Sequence, residues 1–178
     1  MEGDLESCLE LKFAGGRPAL RDGAVIEGYA SRFGLPDQGG DIVAPGAFAA
    51  SLAKLAARGD KVRMLWQHDP ARPIGVWEEV REDATGLFVR GRLLEGVTLA
   101  QEAATLIGAG AIDGLSIGYR TIRAEKDGRG RRVLREVELW EVSLVTFPML
   151  PEAKLGAKGE RTEDIAAALI AATEALRG

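Results

Sequence analysis

The sequence has few of the residues that build metal sites and disulfides. It contains one histidine, His68, and one cysteine, Cys8, among 178 residues. One cysteine cannot form an internal disulfide, and a zinc site would need one His, one Cys and scattered carboxylates to converge. We therefore expect no metal, and a soluble protein suited to a reducing cytoplasm.

Long apolar runs, excess positive charge and phosphate-binding loops are also absent. No apolar stretch reaches the roughly 18 residues of a membrane helix, and the acidic N-terminus lacks the order of a secretory signal. Lysine and arginine number 23 against 27 acidic residues, a net charge of −4, which disfavours nucleic acid and anionic membranes as partners. The glycine-containing segments 39–48 and 108–118 match neither the Walker nor the dinucleotide-binding pattern. We expect no cofactor, no membrane, no nucleic acid, and a protein partner.

The sequence contains enough apolar residues to form one hydrophobic core, because 46% of its residues are hydrophobic. The first third predicts a β-hairpin followed by a loop, and residues 69–73 and 83–86 are predicted turns between later strands. Residues 112–125 and 131–147 predict a long antiparallel pair. The predicted strands are residues 8–13, 24–33, 61–68, 74–83, 86–94, 112–125 and 131–147.

Helical spacing interrupts the strands twice, in residues 45–59, which end at Gly59, and in the alanine-rich residues 96–110. A further helix is predicted from Thr162. We expect an α+β, mainly β fold: a closed or nearly closed barrel of six to seven strands flanked by helices. Residues 1–155 are expected to form the domain, and residues 156–178 a linker and C-terminal helix.

Ser116 is a candidate nucleophile, because it lies in a predicted strand between Gly114 and Gly118. Strand alternation puts these three residues on one face, where the glycines leave room for another backbone to approach the hydroxyl. Strand glycines also mark bulges or tight packing, and local sequence alone favours that structural interpretation.

His68 is the imidazole available to activate a serine. It directly precedes Asp69-Pro70, and a lone histidine is more often structural than catalytic. Local sequence therefore favours a turn residue over a general base.

Glu141 interrupts an apolar run from Leu139 to Val145 in which both strand faces are apolar. A carboxylate buried there must be paired, hydrogen-bonded or protonated, because an unpaired buried charge costs several kcal/mol or more. Two partners are open: an arginine such as Arg120, or His68, whose ring the carboxylate would orient.

Five phrases give the sequence a family resemblance. It resembles the HK97-type phage prohead proteases, also called capsid maturation proteases, which are related in fold to the herpesvirus assemblins. The resemblance covers about residues 11–153. Its phrases, in family order, are GYASRFG, GDIVAPGAF, WQHDPARPIG, GLSIGY and EVSLVTFPMLPEA.

The resemblance implies that His68 is the base and Ser116 the nucleophile. The herpesvirus relatives use a second histidine as the third member, and this sequence has none. The corresponding position, 25 residues after Ser116, is Glu141. Asp69 and Asp41 are poorer candidates for this role.

Arg120 lies on the predicted strand face of Ser116 and is a candidate for supporting the oxyanion or the substrate. A surface or ion-pairing arginine is the competing interpretation. Backbone N–H donors must also hold the oxyanion, and the sequence assigns none of them.

The function implied by the resemblance is a serine endopeptidase that acts inside the assembling procapsid, in the host cytoplasm. Its expected partners are the scaffold protein or the major capsid protein as substrate, copies of itself as further substrate, and a homo-oligomer, with a dimer as one form. One competing function is a non-catalytic capsid-assembly protein on the same barrel. The other, a small α/β-hydrolase esterase, is disfavoured because Ser116 lies within a continuing strand and not at a strand-to-helix elbow.

Overall fold

The computed structural model describes residues 10–14, 19–21, 25–37 and 39–147. These residues form one sheet of nine strands, together with two helices. The strands are β1 (Glu10–Ala14), β2 (Ala19–Arg21), β3 (Val25–Arg32), β4 (Ile42–Val43), β5 (Arg63–Trp66), β6 (Asp69–Glu82), β7 (Gly86–Leu93), β8 (Gly114–Lys126) and β9 (Arg132–Val145). The helices are α1 (Ala49–Arg58) and α2 (Thr98–Gly108).

The sheet curls toward a barrel. Its strand order is β1-β8-β9-β5-β6-β7-β3-β2, and the short β4 pairs in parallel with β9. Strand β3 nevertheless approaches β1 and β8, which lie at the other end of this order. The mainly β, nearly closed barrel predicted from the sequence is confirmed. The described strands outnumber the six to seven predicted, because β2 and β4 are only three and two residues long.

Both helices within the described part of the chain were predicted. Helix α1 stops at Gly59, whose φ of 68° is the left-handed conformation that favours glycine at a helix C-terminus. Ser51 on α1 accepts a hydrogen bond from the backbone N–H of Leu139, which ties the helix to β9. Neither described helix combines the length and apolar character needed to cross a membrane.

The core lies inside the curled sheet and beneath the two helices. Each large aliphatic or aromatic side chain buried there contributes about 1.5–3 kcal/mol relative to an exposed position. Its largest fully buried members are Tyr119, Phe48, Ile26, Met64, Ile74, Leu87, Leu115, Ile117, Leu134, Leu139 and Leu144. Six of these eleven lie on β8 and β9, so the core packs around the strands that carry the candidate site.

The first third does contain a hairpin, formed by β2 and β3, but the first predicted strand is not part of it. Strand β1 pairs antiparallel with β8, whereas β3 pairs with β2 and β7. Alternation predicted β1 and β3 but neither β2 nor the partner of β1, which the curl of the sheet selects. Cys8 and the helix predicted from Thr162 lie outside the described residues.

The predicted turn at residues 83–86 is confirmed, and Asp83 holds it. The carboxylate accepts hydrogen bonds from the backbone N–H groups of Thr85 and Gly86, from the hydroxyl of Tyr29 at 2.8 Å, and from Arg81 at 2.8 Å. The bond from Tyr29, followed by that from Thr85, lowers the pKa of Asp83 from its usual 3.8 to about 2. The charged form is therefore favoured by folding.

We expect this carboxylate to make the fold acid-sensitive. Because the folded pKa is depressed, its stabilising effect is present above about pH 4 and is lost as the pH falls toward about 2. Urea unfolding at several pH values should show a smaller acid loss of stability in Asp83→Asn than in the wild type. Tyr29→Phe removes the largest contribution and should lie between the two. An identical pH dependence in Asp83→Asn and the wild type would contradict this role.

Candidate active site

His68 lies in a two-residue turn between β5 and β6. Trp66 pairs with Asp69, and the two residues between them, Gln67 and His68, have φ values of 53° and 62°. Positive φ at both central positions is the backbone of a type I′ hairpin turn. The predicted turn at residues 69–73 is therefore wrong: these residues begin β6, where Pro70 is tolerated because residues 70–72 have no partner opposite them on β5.

Strand β9 and Thr146, which directly follows it, hold this turn through hydrogen bonds. The backbone N–H of Gln67 donates to the Leu144 carbonyl at 3.0 Å, and its side-chain amide donates to the Thr146 hydroxyl at 2.7 Å. The backbone N–H of His68 donates to Ser143 Oγ at 3.2 Å. Positive φ at a residue other than glycine costs on the order of 1–3 kcal/mol. These bonds help to offset that cost.

The imidazole of His68 contacts the carboxylate of Glu141. His68 Nδ1 lies 2.6 Å from Glu141 Oε1, and the two side chains are only 11% and 6% exposed. Ser143 Oγ donates to the second oxygen, Glu141 Oε2, at 2.5 Å. The carboxylate is thus buried, as the apolar run predicted, and its partner is His68 and not an arginine.

A β-bulge precedes Glu141. Gly118 pairs with Glu141 and Tyr119 pairs with Leu139, which leaves Trp140 without a residue opposite it on β8. Trp140 is 41% exposed, whereas each of the five residues from Glu141 to Val145 is buried. Bulges change the direction of the side chains that follow them. This one separates the partly solvated half of β9 from the half that carries the carboxylate.

Gly118 provides the space that the Glu141 side chain occupies. A Cβ built at Gly118 would overlap the carboxylate and the Cγ of Glu141. The expectation that the glycines near Ser116 admit another backbone is therefore corrected at this position, where the neighbour is a side chain. Only a residue without a Cβ permits the contact between His68 and Glu141 in this arrangement.

Ser116 lies on the same sheet face, one strand away from these groups. It is fully buried and pairs directly with Ser143 of β9. Directly opposed residues of an antiparallel pair have side chains on one face, with Cβ atoms about 4.5–5.5 Å apart. Ser143 in turn bonds both Glu141 and the backbone of His68. The structure therefore gathers the three predicted site residues around Ser143.

Arg120 lies farther along β8 and forms an ion pair. Its guanidinium is 2.7 Å from Glu138, and both side chains are substantially exposed. This contact fits the ion-pairing interpretation of Arg120. The role in supporting an oxyanion or the substrate stays a prediction.

The two poorer candidates for the third role lie in other contacts. Asp69 accepts a hydrogen bond from the backbone of Ala71 and pairs with Arg72. Asp41 accepts a hydrogen bond from Arg132 at 2.8 Å. The carboxylate that contacts the His68 ring is that of Glu141.

Sequence reasoning missed Ser143 and Gln67. Ser143 stands two residues after Glu141 in the same apolar run, so the burial argument applied to the carboxylate would also have found this hydroxyl. Gln67 gives no such signal, because glutamine-histidine is not one of the residue pairs that favour a type I′ turn.

This arrangement is suited to proton transfer. A carboxylate at Nδ1 favours the tautomer in which Nδ1 carries the proton and Nε2 accepts one. A serine, a histidine and a carboxylate on one face are the groups needed for acyl transfer. Within residues 10–14, 19–21, 25–37 and 39–147, no cluster of three His, Cys, Asp or Glu side chains could hold a metal ion.

We expect Gly118→Ala to disturb the histidine. The new methyl group would displace the Glu141 carboxylate, and overpacking of this kind costs about 1–3 kcal/mol. Because His68 is the single histidine, its imidazole NMR signals need no assignment, and they should shift in the variant. Gly128→Ala, in the turn at the far end of the same hairpin, meets no atom within 4 Å and serves as the control. Unchanged imidazole signals in Gly118→Ala would contradict this packing.

Comparison with known proteins supports both the fold and the family. The solved structure of the bacteriophage T4 capsid assembly protease matches with a TM-score of 0.62 at 17% identity, covering 79% of this chain and 98% of that one. This likeness confirms the fold. The prohead protease of Enterobacteria phage HK97 is 35% identical over 153 residues, which is 83% of this chain and 64% of that protein. The chain thus spans just under two thirds of the length of this relative.

The family itself is shown by a direct match. The family model for the caudovirus prohead serine protease matches residues 16–167, which include His68, Ser116 and Glu141. The resemblance predicted from the five phrases is confirmed. This chain belongs to the caudovirus prohead serine protease family.

Proposed function

We propose that this protein is a serine endopeptidase that cleaves the scaffold protein, or the scaffolding segment of the major capsid protein, during procapsid maturation, and that it also cleaves itself. The observation that carries the proposal is the buried contact between His68 Nδ1 and Glu141 Oε1, on the sheet face that Ser116 shares. Family membership supports the same conclusion.

In the proposed reaction, Ser116 Oγ attacks the scissile carbonyl, and His68 Nε2 takes its proton and returns it to the leaving amine. Glu141 holds the ring and stabilises the imidazolium. Because Ser116 is fully buried, substrate binding must displace the groups that cover it. The oxyanion needs backbone N–H donors. A contribution from Arg120 would require its ion pair with Glu138 to open.

The choice of Ser116 over Ser143 rests on hydrogen bonding. Ser143 donates its hydroxyl proton to Glu141, and its oxygen accepts the backbone N–H of His68. A nucleophile must instead give its proton to the imidazole. These bonds support Ser116 as the nucleophile and leave Ser143 a different role.

The setting we propose is the interior of the assembling procapsid in the host cytoplasm, with the protease as a homo-oligomer. The protease domain is proposed to span residues 1–155, followed by a linker and C-terminal helix over residues 156–178. A non-catalytic capsid-assembly protein on the same barrel is the alternative. Such a protein would have no need to keep a carboxylate, an imidazole and a serine on one buried face.

We expect loss of either Ser116 or His68 to abolish processing. The wild type, Ser116→Ala and His68→Ala would each be coexpressed with the major capsid protein proposed as the substrate, and the intact masses of the products measured. Removing the nucleophile or the base should slow cleavage by at least about 10³-fold. His68→Asn is a useful second variant, because asparagine tolerates the left-handed backbone at this position.

Two outcomes would overturn this assignment. Normal processing by Ser116→Ala would exclude Ser116 as the nucleophile. Absence of any cleavage product with the wild type would favour the non-catalytic alternative.

Glu141→Gln should keep the fold and reduce the cleavage rate strongly. The amide retains the shape of the carboxylate but removes the charge that stabilises the imidazolium, and loss of the third member typically costs about 10⁴-fold. The same coexpression with timed samples measures the rate, and circular dichroism checks the fold. Near-normal cleavage would transfer the third role to another residue.

A further inference from the structure

Ser143 is a fully buried serine at the centre of the candidate site. It pairs with Ser116 across the β8–β9 ladder and with Leu65 across the parallel β5–β9 ladder. Ser143 therefore lies between the strand of the proposed nucleophile and the strand that leads into the His68 turn.

The hydroxyl of Ser143 bonds both the backbone of His68 and the carboxylate of Glu141, whose relative positions matter for the proposed mechanism. Its oxygen accepts the backbone N–H of His68 at 3.2 Å, and its proton goes to Glu141 Oε2 at 2.5 Å. The other carboxylate oxygen, Oε1, contacts the imidazole of the same histidine. Histidine, carboxylate and serine thus form a closed ring of hydrogen bonds, in which Ser143 fixes the backbone and Glu141 fixes the side chain of His68.

We infer that Ser143 is a positioning residue for the proposed reaction: it orients the Glu141 carboxylate and holds the His68 backbone in its left-handed conformation. This inference rests on the proposed function. Ser143 acts through Glu141 and His68 and does not touch the substrate.

The expected size of the effect follows from what Ser143→Ala removes. The change deletes one oxygen and leaves a buried N–H and a buried carboxylate oxygen each without one hydrogen bond. A carboxylate free to rotate misplaces the imidazole, and a misplacement of about 1 Å costs on the order of 10²-fold in rate. We expect a loss of about 10-fold to 10²-fold, smaller than the loss caused by removing Ser116.

A fluorophosphonate probe, which phosphonylates activated serines, measures this effect without a known cleavage site. The full chain would be labelled and the modified residue located by mass spectrometry. Ser143→Ala should lower the maximal labelling rate at Ser116 and leave the half-saturating probe concentration unchanged. It should also shift the imidazole NMR signals of His68. Ser31→Ala is the control, because Ser31 is buried on β3 and its hydroxyl forms no hydrogen bond among the described residues.

A double-mutant cycle separates positioning from general destabilisation. If Ser143 acts in part through Glu141, Ser143→Ala should cause a smaller loss of rate in the Glu141→Gln variant than in the wild type, where it disturbs both the carboxylate and the His68 backbone. Fully multiplicative losses, or wild-type labelling by Ser143→Ala, would overturn the positioning role while the proposed function stands. If the wild type is not labelled at Ser116, the proposed function fails, and the positioning role fails with it.

Discussion

The attachment of the His68 turn to strand β9 is the constraint on which the site depends. Four hydrogen-bonding contacts join Gln67 and His68 to residues 141–146. In two of them the donor is a backbone N–H of the turn, and the acceptors are the Leu144 carbonyl and the Ser143 hydroxyl. Strand β9 also pairs with β8, β5 and β4. A single strand therefore fixes the imidazole, supplies its carboxylate and sets the register of the strand that carries Ser116. Shifting β9 by one residue would move every side chain to the other face of the sheet.

Space is the second constraint, and two local irregularities supply it. The absence of a Cβ at Gly118 admits the Glu141 side chain, and the bulge at Trp140 begins the fully buried half of β9. The glycine and the bulge lie next to each other in the β8–β9 ladder, so shifting one along the strands without the other would separate the space from the carboxylate that fills it. A regular ladder with an alanine at position 118 would pack well as a strand pair and would have no room for the carboxylate beside the imidazole.

Much of the fold could be predicted from the sequence because helices and hairpins are local. The spacing of apolar residues gave both described helices, and the turn-rich residues 126–131 gave the β8–β9 hairpin. The partner of β1 could not be predicted, because closure of the sheet selects it over a separation of about a hundred residues. In the candidate site, burial alone singled out Glu141. Ser116 and His68 look structural in their local sequence, and only the family resemblance raised them to site residues.

The turn at Gln67 and His68 shows why local rules fail here. Two-residue turns of this geometry favour asparagine-glycine, which adopt positive φ at little cost. This chain instead places glutamine and histidine there, at φ values of 53° and 62°. A local conflict of this kind persists only where the surroundings over-determine the backbone. The bonds from β9 do so, and the side chain they hold in place is the imidazole. The structural and the proposed catalytic interpretations of His68 are therefore compatible, because the backbone that makes it a turn residue also places its imidazole against Glu141.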